Sequence, residues 1–308
     1  MQFLRDFDNV VTFLSDVGCE GRTRVAVVYP HDFHTVEAVE NALRRLPVDF
    51  ILVGRGDDEQ LHKLSEEFAG RIELIVAEEP DEAARVAVSL VRDGKADVIM
   101  KGLINTDNLL RAILNKQEGI LEKGAVLSHI TGAQIAGMGR LLFFSDAAVI
   151  PAPNLEQHSA IVGYLADVCR AFGIKEPRIA LIHCTEKTSE KFPVTLSYAE
   201  IKQRAARNEY GSVIVDGPMD VKTALDAHSG EVKGIKSPID GHADALVFPD
   251  IQAGNVFYKS ISFFAHSLNA GMLMGAKVPV VLPSRSDSSE SKLCSIAMAC
   301  LYSRSKKS

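Results

Sequence analysis

Three polar stretches each follow an apolar run directly and hold the side chains best suited to chemistry: Lys101–Thr106, Phe248–Lys259 and Ser284–Ser289. In the last, Pro283-Ser284-Arg285-Ser286-Asp287-Ser288-Ser289 crowds a guanidinium, a carboxylate and four hydroxyls into one loop. Leu293, Ile296, Ala297, Cys300 and Leu301 then recur at i, i+3, i+4, i+7 and i+8, one apolar face of a helix. Ser288 or Ser289 can cap that helix, whose first backbone N–H groups have no partner within it. A strand, a hydroxyl-rich loop and a helix N-terminus make an anion site, because the N–H groups and the helix dipole both favour negative charge. Arg285 can grip a phosphoryl group through two parallel hydrogen bonds. Its competing use is a loop ion pair with Asp287. Arg111 lies just beyond Thr106, and helical side chains lean toward the N-terminus, so it too can reach back over its own polar stretch. A surface salt bridge is its competing use.

The elements that position these stretches follow from periodicity. Residues 8–17 read as a short helix. Strands at Arg24–Tyr29, Asp49–Val53, Ile72–Val76 and Asp97–Met100 alternate with helices at Thr35–Arg45, Asp58–Phe68 and Asp81–Arg92. Thr35 is a candidate cap for the first of these, and Thr106 for a helix over Asp107–Asn115. Short strands alternating with helices mean βαβ units and a parallel sheet, whose strand carboxyl ends line the ligand crevice. Two further runs, Ala125–Ile130 and Leu141–Phe144, flank a glycine-rich loop over Thr131–Arg140. Pro151-Ala152-Pro153-Asn154 marks the best domain boundary, since proline disfavours helix in the residue before it. The pattern then resumes: helix Leu155–Phe172, strand Pro177–His183, helix Tyr198–Arg207, and strands Ser212–Val215 and Ala243–Phe248. A long apolar helix over Phe257–Met274 feeds a final buried strand at Val278–Leu282. The alternation thus runs on both sides of that boundary, and two α/β domains are expected.

Composition excludes several classes. The chain has 308 residues, a net charge of −6, and basic residues that are scattered apart from Arg304, Lys306 and Lys307 at the tail, so no nucleic acid partner is expected. No apolar run approaches membrane-spanning length, and the acidic amphipathic N-terminus is not a targeting peptide. Five dispersed cysteines without a Cys-x-x-Cys pair fit a reducing cytoplasm and no structural zinc. Gly137-Met138-Gly139 lacks the third glycine of a dinucleotide fingerprint, and Ala125 stands where a P-loop lysine would follow Gly119 and Gly124. His31 and His34 could in principle ligate a metal, but no carboxylate or cysteine cluster supports them, and no metal is expected. Cys294 and Cys300 read as small core residues rather than nucleophiles.

The strings Ser237-Pro-Ile-Asp-Gly-His-Ala-Asp244, Phe248-Pro-Asp-Ile-Gln-Ala-Gly-Asn-Val-Phe-Tyr-Lys259 and Val278-Pro-Val-Val-Leu-Pro-Ser-Arg-Ser-Asp-Ser288, with Lys101-Gly102, Thr106, Arg111 and Ser145-Asp146-Ala147, resemble the phosphate acetyl/butyryltransferase family. The likeness covers roughly residues 97–303 and leans to the butyryl branch, since Leu282-Pro-Ser-Arg-Ser-Asp-Ser288 stands where acetyl enzymes read Asp-Leu-Ser-Arg-Gly. The resemblance implies reversible acyl transfer between acyl-CoA and phosphate, giving acyl phosphate and CoA. It also implies an isocitrate dehydrogenase-like two-domain α/β fold, with a mixed or parallel sheet and an interdomain cleft, and a homodimer or higher homo-oligomer. In such a fold the last helix returns to the first domain, which would then comprise residues 1–150 plus 283–308, with the second over 151–282. It assigns catalysis to Ser284 and Arg285 and substrate binding to Arg111, with Lys101, Thr106, Gly254, Asn255, Lys259 and Ser288 in support. The acetyl enzymes' aspartate falls at Ser291, so the base passes to Asp287, or alternatively to Glu290. No cofactor is expected, and a ternary complex is favoured over an acyl-enzyme. Competing readings are a phosphate acetyltransferase, a nicotinamide-dependent dehydrogenase, and a non-catalytic acyl-CoA sensor on the same fold.

Overall fold

The computed structural model describes residues 3–16, 21–283 and 287–307. It opens with helix α1 (Phe7–Asp16) and continues as β1 (Thr23–Val28), α2 (Phe33–Arg45), β2 (Val48–Gly54), α3 (Glu59–Glu67), β3 (Ile72–Val76), α4 (Pro80–Arg92), β4 (Val98–Lys101) and α5 (Thr106–Ile113). The inner strands are buried as their apolar runs require: Val25, Ala26, Val27 and Val28 of β1 are wholly excluded from solvent, whereas β3 at the sheet edge is only partly covered. Carboxylates start two of the helices. Asp32 caps α2, accepting from Thr35 N at 2.9 Å, and Asp58 caps α3. Thr35, expected as the cap, instead sits in the first turn and donates its hydroxyl to Asp32 Oδ2 at 2.6 Å. The charged acceptor three residues earlier satisfies two donors at once. Thr106 is likewise the first helical residue of α5, behind Asn105.

The chain then forms β5 (Ser128–Gln134), β6 (Leu141–Ser145), α6 (Leu155–Ala171), β7 (Arg178–Ile182), α7 (Val194–Ala206), β8 (Ile214–Met219), α8 (Val221–Leu225), α9 (Ala227–Lys233), β9 (Ala245–Val247) and α10 (Ile251–Phe264). Asn154 and Gln157 form a reciprocal capping box at the start of α6. The glycine-rich segment over Thr131–Arg140 opens as strand through Gln134 and is a loop over 135–140, closing a hairpin in which β5 pairs antiparallel with β6, Thr131 opposite Phe144. Phe144 then packs edge-on against Phe248 and Phe257 in the core below.

The last elements are β10 (Leu268–Met274), β11 (Val280–Val281) and α11 (Ser289–Ser305). The long helix expected over Phe257–Met274 is two elements. Asp250 caps α10 by accepting from Ala253 N at 2.8 Å, so the helix begins at Ile251 and ends at Phe264. His266 then takes a left-handed backbone (φ 47°). Asn269 donates to Ser262 Oγ at 2.9 Å while accepting from Ser267 Oγ. Short polar side chains competing for local hydrogen bonds end the helix there, and the apolar Ala270–Met274 run becomes a strand.

The chain divides into two compact units: a terminal unit, Phe7–Leu127 with Ala270–Ser308, and a central unit, Met1–Asp6 with Ser128–Asn269. The Pro151–Asn154 segment therefore lies inside the central unit, because the β5–β6 hairpin before it shares that unit's core. In the terminal unit the strand order is β3-β2-β1-β4-β11-β10, parallel throughout except that β10 runs antiparallel to β11. In the central unit it is β5-β6-β9-β7-β8, with only the β5–β6 pair antiparallel. Helix α11 contacts α1, α2, β1, β4 and β11. It is buried nearly all round, Cys294, Met298 and Ala299 included, rather than along one stripe.

Candidate active site

A cavity of about 760 Å³ opens in the terminal unit where parallel strands end and helices begin, a volume normal for small-molecule sites. Asp32, His34 and Thr35 enter it from the start of α2, Glu79, Pro80 and Asp81 from the start of α4, and Asn105 and Asn108 from α5. Lys101 and Gly102 at the end of β4, Leu103 and Ile104 after it, Pro283, and Lys292 of α11 complete the lining. Three helix N-termini thus face one space, an arrangement that favours an anion. Gly102 is required by packing: a Cβ there would lie 2.7 Å from the carbonyl oxygens of Val28 and Tyr29. The adjacent strand can approach this closely only because no side chain intervenes.

Of the residues singled out from sequence, Lys101 lines the cavity, and its ammonium donates to Gly102 O at 3.4 Å. Thr106 and Arg111 are exposed on α5 and are not part of the lining. Arg111 forms no ion pair with a described residue, so the surface salt bridge weighed as its competing use is absent among them. Ser284 and Arg285 lie outside the described residues. Asp287 is half-buried, and Ser288 caps α11, accepting from Ser291 N at 3.1 Å. Glu290 is engaged by Arg45 at 2.9 Å and 3.1 Å through its two carboxylate oxygens. Gly254, Asn255 and Lys259 belong to the central unit, where the first two act as packing residues. Asn255 Nδ2 donates to Ala147 O at 3.0 Å, and a Cβ on Gly254 would fall 2.0 Å from Asp146 O. Lys259 is exposed and lies over the Tyr258 ring.

Residues 57–300 match the phosphate acetyl/butaryl transferase family model. The chain belongs to this family. It is 37% identical over 276 residues to the probable phosphate butyryltransferase of Bacillus subtilis (strain 168), covering 89% of this chain and 91% of that one. It is 37% identical over 286 residues to the phosphate butyryltransferase of Clostridium acetobutylicum, covering 92% and 94%. Among solved structures, the branched-chain phosphotransacylase of Enterococcus faecalis V583 superposes with a TM-score of 0.79 at 30% identity, over 91% of this chain and 99% of that one.

Within this phosphate acyltransferase chain the two histidines considered for a metal part company. His31 Nδ1 meets Asp58 Oδ2 at 2.5 Å, and Nε2 accepts from Arg55 N at 2.8 Å, so both ring nitrogens are spent. Burial pushes Asp58 up, but hydrogen bonds from His31 and from the Leu61 and Gln60 N–H groups outweigh it and hold the carboxyl below its usual range. His34 lines the cavity. No group of three or more metal-ligating side chains occurs among the described residues. Cys294 and Cys300 are core residues, as expected, and burial pushes each thiol up to about 12. Among the described residues no helix is long and apolar enough to cross a membrane. Lys292 escaped the sequence reading. Its only signal was a lysine set among Leu293, Ile296 and Ala297, and the expected one-sided helix left room for it in solvent.

Proposed function

We propose that this chain transfers an acyl group reversibly between CoA and inorganic phosphate: acyl-CoA and phosphate give acyl phosphate and CoA. The observation that carries the reading is the cavity, with two lysines and three helix N-termini at the strand ends, in a chain of this family. In the thioester-forming direction, Asp287 accepts the CoA thiol proton, the sulfur attacks the acyl carbonyl, and phosphate leaves. Arg285 and Arg111 hold the phosphoryl oxygens, and Ser284 donates to the developing oxyanion. Both substrates are held together, so proximity supplies much of the barrier reduction without an acyl-enzyme. The equation balances without redox or metal chemistry, and no cofactor is invoked. The acyl group is butyryl or another short or branched chain, in keeping with the names of the relatives above. An isocitrate dehydrogenase-like arrangement, a cytoplasmic location and a homo-oligomer belong to the same reading. The last draws support from Val256, Phe263 and Phe264, which are exposed on α10.

The test is phosphate-dependent release of CoA thiol from acetyl-, propionyl-, butyryl- and branched acyl-CoA. Release is expected, fastest with a chain of about four or five carbons, although one methylene is worth only about 1–3 kcal/mol. Absence of release with every thioester overturns the function and leaves the sensor. Arg285→Ala should lower turnover by roughly 10²-fold or more with an unchanged unfolding midpoint. Near-wild-type turnover removes Arg285 from the site.

A further inference from the structure

Lys292 is out of place by three physical criteria. It is only 5% exposed, whereas lysines are rarely buried without a partner. It stands in the first turns of α11, its N–H bonded to the Ser288 carbonyl at 3.1 Å, where the helix dipole disfavours a cation. No ion pair or hydrogen bond joins its ammonium to a described residue. The carboxylates that share its cavity are otherwise committed. Asp32 accepts from both the Thr35 N–H and hydroxyl, and Asp81 accepts from Asn108 Nδ2 at 2.6 Å. Glu79 is exposed. A buried ammonium without a counter-charge is costly, and the cost is recovered when an anion arrives beside it.

We propose that Lys292 is the buried cation that receives the phosphoryl group of the substrate, inorganic phosphate in one direction and acyl phosphate in the other, in the cavity it shares with Lys101. This rests on the acyl transfer reading above and adds to it a binding residue other than the two arginines. Lys292 is the deeper of the two lysines and Lys101 is half-buried. A dianion between them also meets the N–H groups at the starts of α2, α4 and α5.

The experiment compares wild type with Lys292→Met and Lys292→Gln in the full chain, by steady-state kinetics and by thermal unfolding with inorganic phosphate added. The expected result is a rise of about tenfold or more in KM for phosphate and for acyl phosphate, the loss typical of one charge-assisted hydrogen bond. KM for CoA should stay within about twofold. Phosphate should raise the unfolding midpoint of wild type and leave that of either variant unmoved. A rise confined to KM for CoA, which would place the ammonium on the CoA phosphates, overturns the proposal. So does unchanged phosphate KM, or a lowered midpoint in which phosphate protection persists. If wild type shows no phosphate-dependent turnover, the acyl transfer reading fails. Phosphate protection lost in both variants would still establish Lys292 as an oxyanion site.

Discussion

The choice of base turns on a single residue pair. Sequence left Asp287 and Glu290 both open, because either can precede or enter the last helix. The structure spends Glu290 on Arg45, whose guanidinium also lies 3.9 Å from Asp8. A carboxylate already engaged by a guanidinium is less free to turn to a thiol, which counts against Glu290 and keeps Asp287 as the proposed base. Asp287→Asn is expected to lower kcat for CoA acylation by roughly 10²–10⁴, with little change in unfolding midpoint. Glu290→Gln is expected to leave kcat within about threefold, and its exposed ion pair is worth no more than about 1 kcal/mol. Stopped-assay rates with acyl phosphate and CoA decide between them. The reverse pattern, slow E290Q and active D287N, transfers the role to Glu290.

Helix α10 shows that residues of a motif carry structural contacts of their own. Gly254 and Asn255, expected from the sequence to serve the site, each fasten α10 to the Ser145–Ala147 segment at the end of β6. Asp146 is itself buried there and fully engaged, accepting from Ser128 Oγ at 2.8 Å, Ala148 N at 2.7 Å and Val149 N at 2.9 Å. Gly254→Ala would gain about 1 kcal/mol of helix propensity. It would also drive a methyl group into a backbone carbonyl that cannot rotate away, an overpacking cost of about 1–3 kcal/mol or more. Net destabilisation is therefore expected, read as a lower midpoint in urea. An equal or higher midpoint would show that the helix shifts freely, and the packing account of Gly254 would fall.

At the scale of the whole molecule, two buried aspartates tie distant segments together with opposite pH signatures. Asp97 in the terminal unit accepts from Arg24 N at 2.9 Å, from Arg24 Nη2 at 2.9 Å, and from Lys307 near the chain end at 2.6 Å. Burial pushes its carboxyl up, but the Arg24 and Lys307 hydrogen bonds outweigh this and hold it below the usual value. Its contribution to stability is present above the unfolded carboxylate value and is lost as pH falls through the depressed one. Asp97→Asn should cost about 1–3 kcal/mol near neutrality. That gap should close in acid, as seen by denaturant titration across pH; a gap independent of pH would contradict the assignment. Asp244 in the central unit is raised by burial despite the Arg178 N–H, which it accepts at 2.8 Å. Its ionised form therefore weighs against folding at neutral pH, and that penalty is relieved as pH falls through the raised value. The sequence by itself determined the alternation of strands and helices, the strand-end polar stretches and the family, because periodicity and local side-chain order are properties of neighbouring residues. It missed the break at Ala265–Asn269, where hydrogen bonds among Ser262, Ser267 and Asn269 override an apolar pattern that suits either element. Only the tertiary structure decided that α11 is buried nearly all round, that Arg45 claims Glu290, and that Lys292 lines a cavity without an ion pair to a described residue. Those facts depend on which distant segments pack against the helix, and no local pattern carries that information.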